Sequence, residues 1–110
     1  MFSVFVKGKR NVLNYSLEEL ASKSDIDINE LVQIENNLNY KPSMRTIYNL
    51  SQVFDVPHIS LLRLSGLAET NENTLEKESM RFAARAEKIE RLTKEEMREL
   101  EEFIGILARG

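Results

Sequence analysis

The stretch that decides the fold is residues 16–35, SLEELASKSDIDINELVQIE. Ser16 precedes an apolar run at helical spacing, and Glu19 follows three residues later, which is the pattern of a capping box at the start of a helix. Asp27 ends an interruption of that run and can cap a second helix, with Glu30 at its third position. The stretch therefore predicts two short helices joined by a tight turn.

The apolar residues of this stretch fit the same interpretation. Leu31 and Ile34 form the apolar face of the second helix, and Ile26 in the turn is expected to be buried between the helices. Helix, turn and helix together predict the helix-turn-helix unit, whose second helix enters the major groove of DNA. Spacing alone also fits a purely structural helical bundle.

Capping residues and apolar periodicity predict five further helices, so the expected fold class is all-α. They are residues 2–13, 43–54, 58–64, 74–92 and 94–108. The first three surround the central pair and complete a five-helix domain over residues 1–67. The polar segment 68–73, AETNEN, is the predicted linker. Residues 74–110, with caps at Asn73 and Thr93, are expected to form a C-terminal helical hairpin that serves as an oligomerisation tail.

The composition argues against several classes of protein. The 110 residues include no cysteine and one histidine, so we expect no catalytic triad, no metal site, no cofactor and no enzyme. No apolar run approaches the ~20 residues that span a bilayer. We therefore expect no membrane partner and a cytoplasmic location.

The acidic residues are unevenly distributed along the chain, which has a net charge of −3. Residues 1–67 hold seven basic and seven acidic side chains, whereas residues 68–110 hold eight basic and eleven acidic ones. The acidity therefore belongs to the tail, and the predicted DNA-binding domain is neutral rather than basic.

The chain resembles the phage-repressor type of helix-turn-helix regulator, the Xre family, in motifs spread over residues 2–67. These motifs are SLEELA at 16–21, Ile26, Leu31, Ile34-Glu35 and Pro42-Ser43. The passage IENNLNYKPS, residues 34–43, is similar in length to that of the Sin-type regulators of Gram-positive bacteria. The resemblance implies a lambda-repressor-like domain from a bacterium or phage. It also implies an ion pair between Arg10 and Glu35 that joins the first helix to the third.

The resemblance further implies which residues contact DNA. The base-facing positions are Ile28, Asn29, Val32 and Gln33. Asn and Gln can bond bidentately to adenine, while Ile and Val can touch a thymine methyl group. Phosphate contacts are expected from Ser16, Asn36, Asn37, Lys41 and Arg45. These residues predict a sequence-specific transcriptional regulator that acts as a repressor on double-stranded DNA.

The charge of the predicted recognition helix departs from the family pattern and supports a second hypothesis. Between Lys23 and Lys41 the sequence has no basic residue but contains four acids, at positions 25, 27, 30 and 35. A surface of this kind also suits a helix-turn-helix protein-interaction module, such as an antitoxin-like or anti-repressor partner, with weak or no DNA binding.

The last predicted helix carries an apolar stripe whose residues recur at steps of three and four, as in coiled-coil packing. The stripe consists of Met97, Leu100, Phe103, Ile104 and Leu107. We expect it to form the interface of a homodimer that places two recognition helices on a two-half-site operator, or to receive a protein antagonist. The alternative is that the tail folds back on residues 1–67 and enlarges their core.

Overall fold

Six helices make up the part of the chain that the computed structural model describes, which is residues 2–37, 39–68 and 92–109. They are α1 (Phe2–Val12), α2 (Leu17–Ser24), α3 (Ile28–Asn36), α4 (Met44–Phe54), α5 (His58–Leu64) and α6 (Lys94–Arg109). The predicted all-α fold is confirmed over these ranges. Apart from Leu92, the helix predicted at 74–92 lies outside the described residues, as do its Asn73 cap and most of the predicted linker. Among the helices described, none combines the length and apolar character needed to cross a membrane.

The caps of α2 and α3 fix where the two helices begin. Ser16 Oγ accepts the Glu19 backbone N–H at 3.0 Å, and the Glu19 carboxylate accepts the Ser16 N–H at 3.2 Å, so the first capping box is confirmed. Asp27 caps α3 by accepting the Asn29 N–H at 2.7 Å. The prediction that Glu30 completes a second capping box at the start of α3 is wrong. Its carboxylate instead bonds to two hydroxyl groups, which are described below.

The turn between α2 and α3 depends on two neighbouring residues. Asp25 takes the left-handed conformation at φ 55° and ψ 42°, which a short polar side chain tolerates better than a bulky one. Its backbone N–H bonds to the Ala21 carbonyl and closes α2. Ile26 then turns inward and is buried, as the sequence predicted, so the turn is anchored by an apolar side chain.

The first five helices enclose one apolar core. Its most deeply buried side chains include Phe5, Leu20, Leu31, Ile34, Ile47, Leu50 and Leu61. Phe5 of α1 and Phe54 of α4 meet edge to face, with ring centroids 6.0 Å apart. Met44 is an exception among the apolar residues of α4, since its side chain is 63% exposed. Met44 lies in the first turn of α4, to one side of the face that Ile47 and Leu50 bury.

The apolar stripe of α6 is part of the core of the single chain and is not displayed for a second copy. Its five residues, Met97, Leu100, Phe103, Ile104 and Leu107, are each at most 4% exposed. The helix packs against α5 and α1 of its own chain. An apolar stripe needs an apolar partner, and α1 and α5 supply one without the entropic cost of association. For α6, the alternative that the tail folds back is therefore the observed arrangement.

Polar contacts fix the register of α6 on its neighbours. The buried Ser60 of α5 donates through Oγ to the Ile104 carbonyl at 2.7 Å. On the other side, Lys9 Nζ of α1 lies 2.6 Å from the Glu101 carboxylate. These contacts, together with the apolar stripe, specify one position for the helix.

Gly8 explains how closely α1 approaches the start of α6. A Cβ atom at this position would lie 2.9 Å from Met97 Sδ and 3.0 Å from Leu92 Cδ1. Such distances are shorter than van der Waals contact, so a larger residue would require the Met97 and Leu92 side chains to shift. The glycine in the middle of α1 therefore leaves room for these two side chains, in spite of its low helix propensity.

Candidate nucleic-acid interface

One side of α3 is buried and the other is exposed. The buried residues are Leu31, Ile34 and Glu35, and the exposed ones are Asn29, Val32, Gln33 and Asn36. At 3.6 residues per turn, the exposed residues form one continuous strip along the helix. The strip contains three of the four residues predicted to contact bases, whereas Ile28 lies half-buried at its edge. Their contacts with DNA stay predictions.

Arg10 and Glu35 hold the inner side of α3 against α1. Arg10 Nε lies 2.7 Å from Glu35 Oε2, and Arg10 Nη2 lies 3.0 Å from Glu35 Oε1, so the pair is bidentate. The side chains are only 15% and 4% exposed. The hydrogen bond from Arg10 to Glu35 raises the pKa of Arg10 above its ordinary value, even though burial opposes this shift. The predicted ion pair is present.

Further bonds complete this anchor around both partners. Arg10 Nη1 donates to the Tyr15 carbonyl at 2.9 Å, and Ser3 Oγ donates to the Glu35 backbone carbonyl at 2.9 Å. The guanidinium thus reaches the segment just before α2 as well as α3. Because α1 binds both α3 and the segment before α2, it fixes the relative position of the two helices on the side opposite the exposed residues of α3.

A second cluster of polar groups holds the outer edge of α3. The Tyr40 hydroxyl donates to Glu30 Oε2 at 2.9 Å, and Thr46 Oγ1 lies 3.0 and 3.1 Å from the two oxygens of the same carboxylate. Tyr40 belongs to the loop after α3 and Thr46 to α4, so the carboxylate joins three segments. Partial burial and the adjacent Glu30 carboxylate raise the pKa of the Tyr40 phenol.

The two predicted phosphate-binding cations lie at the surface but have partners within the chain. Lys41 Nζ donates to the Ser65 carbonyl at 3.2 Å, at the end of α5. Arg45 Nη2 lies 2.9 Å from Asp25 Oδ2, and both side chains are well exposed, at 71% and 90%. The first turn of α4 and the turn of the motif are therefore on the same surface.

The other predicted phosphate contacts lie at the two ends of the motif. Ser16 is exposed at the start of α2, and Asn36 and Asn37 are exposed at the end of α3. Asn36 Nδ2 donates to the Val32 carbonyl at 3.0 Å, while Asn37 Oδ1 accepts the Asn39 N–H at 3.0 Å. These local bonds shape the exit from α3.

Sequence reasoning missed the Tyr40 and Thr46 contacts with Glu30. The hydroxyl groups come from positions 10 and 16 residues further along the chain, beyond any local helical or turn pattern. The one available signal was a tyrosine in an asparagine-rich loop, because a buried tyrosine hydroxyl usually has a hydrogen-bond partner.

One comparison with known proteins bears on this geometry. A family model described as a helix-turn-helix domain matches residues 5–67. The matched range starts in α1 and ends after α5, so it includes both helices of the motif and leaves α6 outside. No curated protein matches the chain, and no solved structure does.

Proposed function

We propose, from the premise that the chain belongs to the helix-turn-helix domain family, that this DNA-binding regulator is a sequence-specific repressor of the phage-repressor, or Xre, type. The observation that carries the proposal is the exposed strip of α3, with Asn29, Val32 and Gln33 on one side of the helix. The opposite side is held by the Arg10–Glu35 pair and by apolar packing. A recognition helix needs this combination of an exposed polar strip on a rigid support.

In the proposed complex, the strip lies in the major groove and reads base edges. Asn29 and Gln33 bond to adenine N6 and N7, and Val32 contacts a thymine methyl group. Lys41 and Arg45 exchange their present partners for phosphate oxygens. An exposed ion pair such as Arg45 with Asp25 is worth only about 0–1 kcal/mol, so this exchange is nearly free of cost.

The arrangement of the acids supports DNA binding over the protein-interaction module. Three of the four acids between Lys23 and Lys41 keep partners within the chain when Arg45 leaves Asp25 for a phosphate. Glu35 pairs with Arg10, Asp27 caps α3, and Glu30 accepts two hydroxyl groups. A carboxylate that already has a cation or a donor repels phosphates less than one directed into solvent.

We further propose that the protein acts as a homodimer on two half-sites about one helical turn apart. The neutral charge of residues 1–67 gives each copy few counterions to release, so a second copy is needed for useful affinity. The stripe of α6 is buried in its own chain. The proposed dimer contact is therefore elsewhere on the surface.

The proposal is tested by selecting duplexes from a random-sequence library with the full chain, followed by gel-shift titration and sedimentation of the complex. We expect a recovered consensus with two related half-sites, bound by two copies. The variant Asn29→Ala with Gln33→Ala should lose the preference for that consensus. Gln52→Ala serves as the matched control, because Gln52 is exposed near the C-terminal end of α4, away from the first turn that holds Arg45. If no duplex is enriched even at low salt, the interaction-module hypothesis replaces this one.

A further inference from the structure

Glu30 is the acid of α3 whose placement matters most for DNA binding. It lies in the first turn of the helix, three residues before Gln33, so it borders the exposed strip. The first turn is also the part of a recognition helix that approaches DNA most closely. A carboxylate directed outward from this position would lie near the phosphates on one side of the groove and would repel them.

The structure directs the carboxylate elsewhere. Both oxygens of Glu30 accept hydrogen bonds from hydroxyl groups, at 2.9 Å from Tyr40 and at 3.0 and 3.1 Å from Thr46. Thr46 is buried, at 4% exposure, so its hydroxyl lies on the inner side of α4. The charge of Glu30 is thereby drawn toward α4 and away from the exposed strip. Two donors from separate segments also restrict the carboxylate to one rotamer.

We propose that Tyr40 and Thr46 are positioning residues for DNA binding, which hold the Glu30 carboxylate away from the phosphates so that α3 can approach the duplex. This inference rests on the proposed function. Neither residue needs to touch DNA in this role, because each acts through the orientation of Glu30. It explains how a recognition helix with an acid in its first turn remains compatible with a polyanion.

The size of the effect follows from Coulomb repulsion. A carboxylate released toward phosphates at about 10 Å, in a partly aqueous medium, would weaken binding by about 3- to 10-fold at low salt. Salt screens such a repulsion, with a Debye length of about 10 Å at 0.1 M. The loss should therefore shrink as salt is raised, which a distorted helix would not produce.

The experiment compares four full-length proteins on a duplex selected by the wild type, at low and high salt. They are the wild type, Glu30→Gln, the pair Tyr40→Phe with Thr46→Val, and that pair combined with Glu30→Gln. Phe and Val preserve the shapes of the side chains without the hydroxyl groups, and Val has a methyl group in place of the hydroxyl. The Thr46 hydroxyl also accepts from Ser43, and this bond is lost in both hydroxyl-free proteins, while the Thr46 backbone N–H still donates to Ser43. Tyr48→Phe, at an exposed tyrosine of the same helix, is the matched control and should bind as the wild type does.

We expect the hydroxyl-free pair to bind about 3- to 10-fold more weakly at low salt, and the added Glu30→Gln to restore binding. Glu30→Gln alone should change the affinity less than about 2-fold, because its charge is already held away from DNA. The two hydroxyl-free proteins share any structural perturbation, so their comparison isolates the charge even if both are less stable.

Two results would overturn the inference while leaving the proposed function intact. One is a loss of affinity that persists after Glu30→Gln is added. The other is undiminished binding by the hydroxyl-free pair. Failure of the wild type to bind any duplex would instead refute the proposed function and this inference with it.

Discussion

Replacing Leu100 with alanine tests whether α6 is an integral part of the folded domain. Leu100 is fully buried on the face of α6 that packs against α5 and α1. The substitution removes three carbon atoms, which corresponds to about 2.5 kcal/mol of lost transfer free energy. Because the surrounding helices relax only partly, the remaining cavity adds to this loss. We expect a total decrease in the free energy of unfolding of roughly 3–5 kcal/mol.

The assay is urea unfolding followed by circular dichroism, at two protein concentrations. Ile106→Ala is the matched control, since Ile106 lies on the same helix but is 48% exposed, and we expect it to cost less than about 1 kcal/mol. The reasoning is refuted if Leu100→Ala is no more destabilising than this control. It is also refuted if Leu100→Ala abolishes a rise of the unfolding midpoint with protein concentration that Ile106→Ala retains, because Leu100 would then be buried against a second copy.

Four other substitutions test the anchor and the candidate interface. Arg10→Ala leaves the buried Glu35 carboxylate without its cation and should lower the free energy of unfolding by about 1–3 kcal/mol; an unchanged melting temperature would contradict this. Asn29→Ala and Gln33→Ala should each cost about 1–3 kcal/mol of discrimination in gel-shift titrations, and equal losses on all sequences would argue against base reading. Lys41→Ala should weaken binding to every sequence alike and reduce the salt slope by about 1, whereas an unaltered slope would exclude a phosphate contact.

Much of the motif could be predicted from the sequence, because its determinants are close together in the chain. The capping box of Ser16 and Glu19 involves residues three positions apart, and the burial of Ile26 follows from its place in the turn. The resemblance to a family placed Asn29 and Gln33 on the outer face of α3, and the structure leaves both side chains exposed. In each case the relevant geometry is that of one helix or one turn, which local residue types specify.

The ion pair between Arg10 and Glu35 required a different kind of information. Helical periodicity cannot predict a contact between two charged residues that are 25 positions apart in the chain. The pairing was expected only from the resemblance to a family. Its bidentate geometry and near-complete burial depend on how α1 packs against α3. The Tyr40 and Thr46 contacts with Glu30 had no such precedent, so the sequence predicted a helix cap for Glu30 instead.

By itself, the sequence determined that α6 has an apolar stripe, since the spacing of Leu100, Phe103, Ile104 and Leu107 is a property of one helix. Only the tertiary structure decided what covers that stripe. An amphipathic helix indicates that an apolar partner is needed. The hydrophobic effect is non-directional, however, so it does not distinguish a second copy from another part of the same chain. That choice depends on the shape of the surface that α1 and α5 offer, on the close approach at Gly8, and on the buried bond from Ser60.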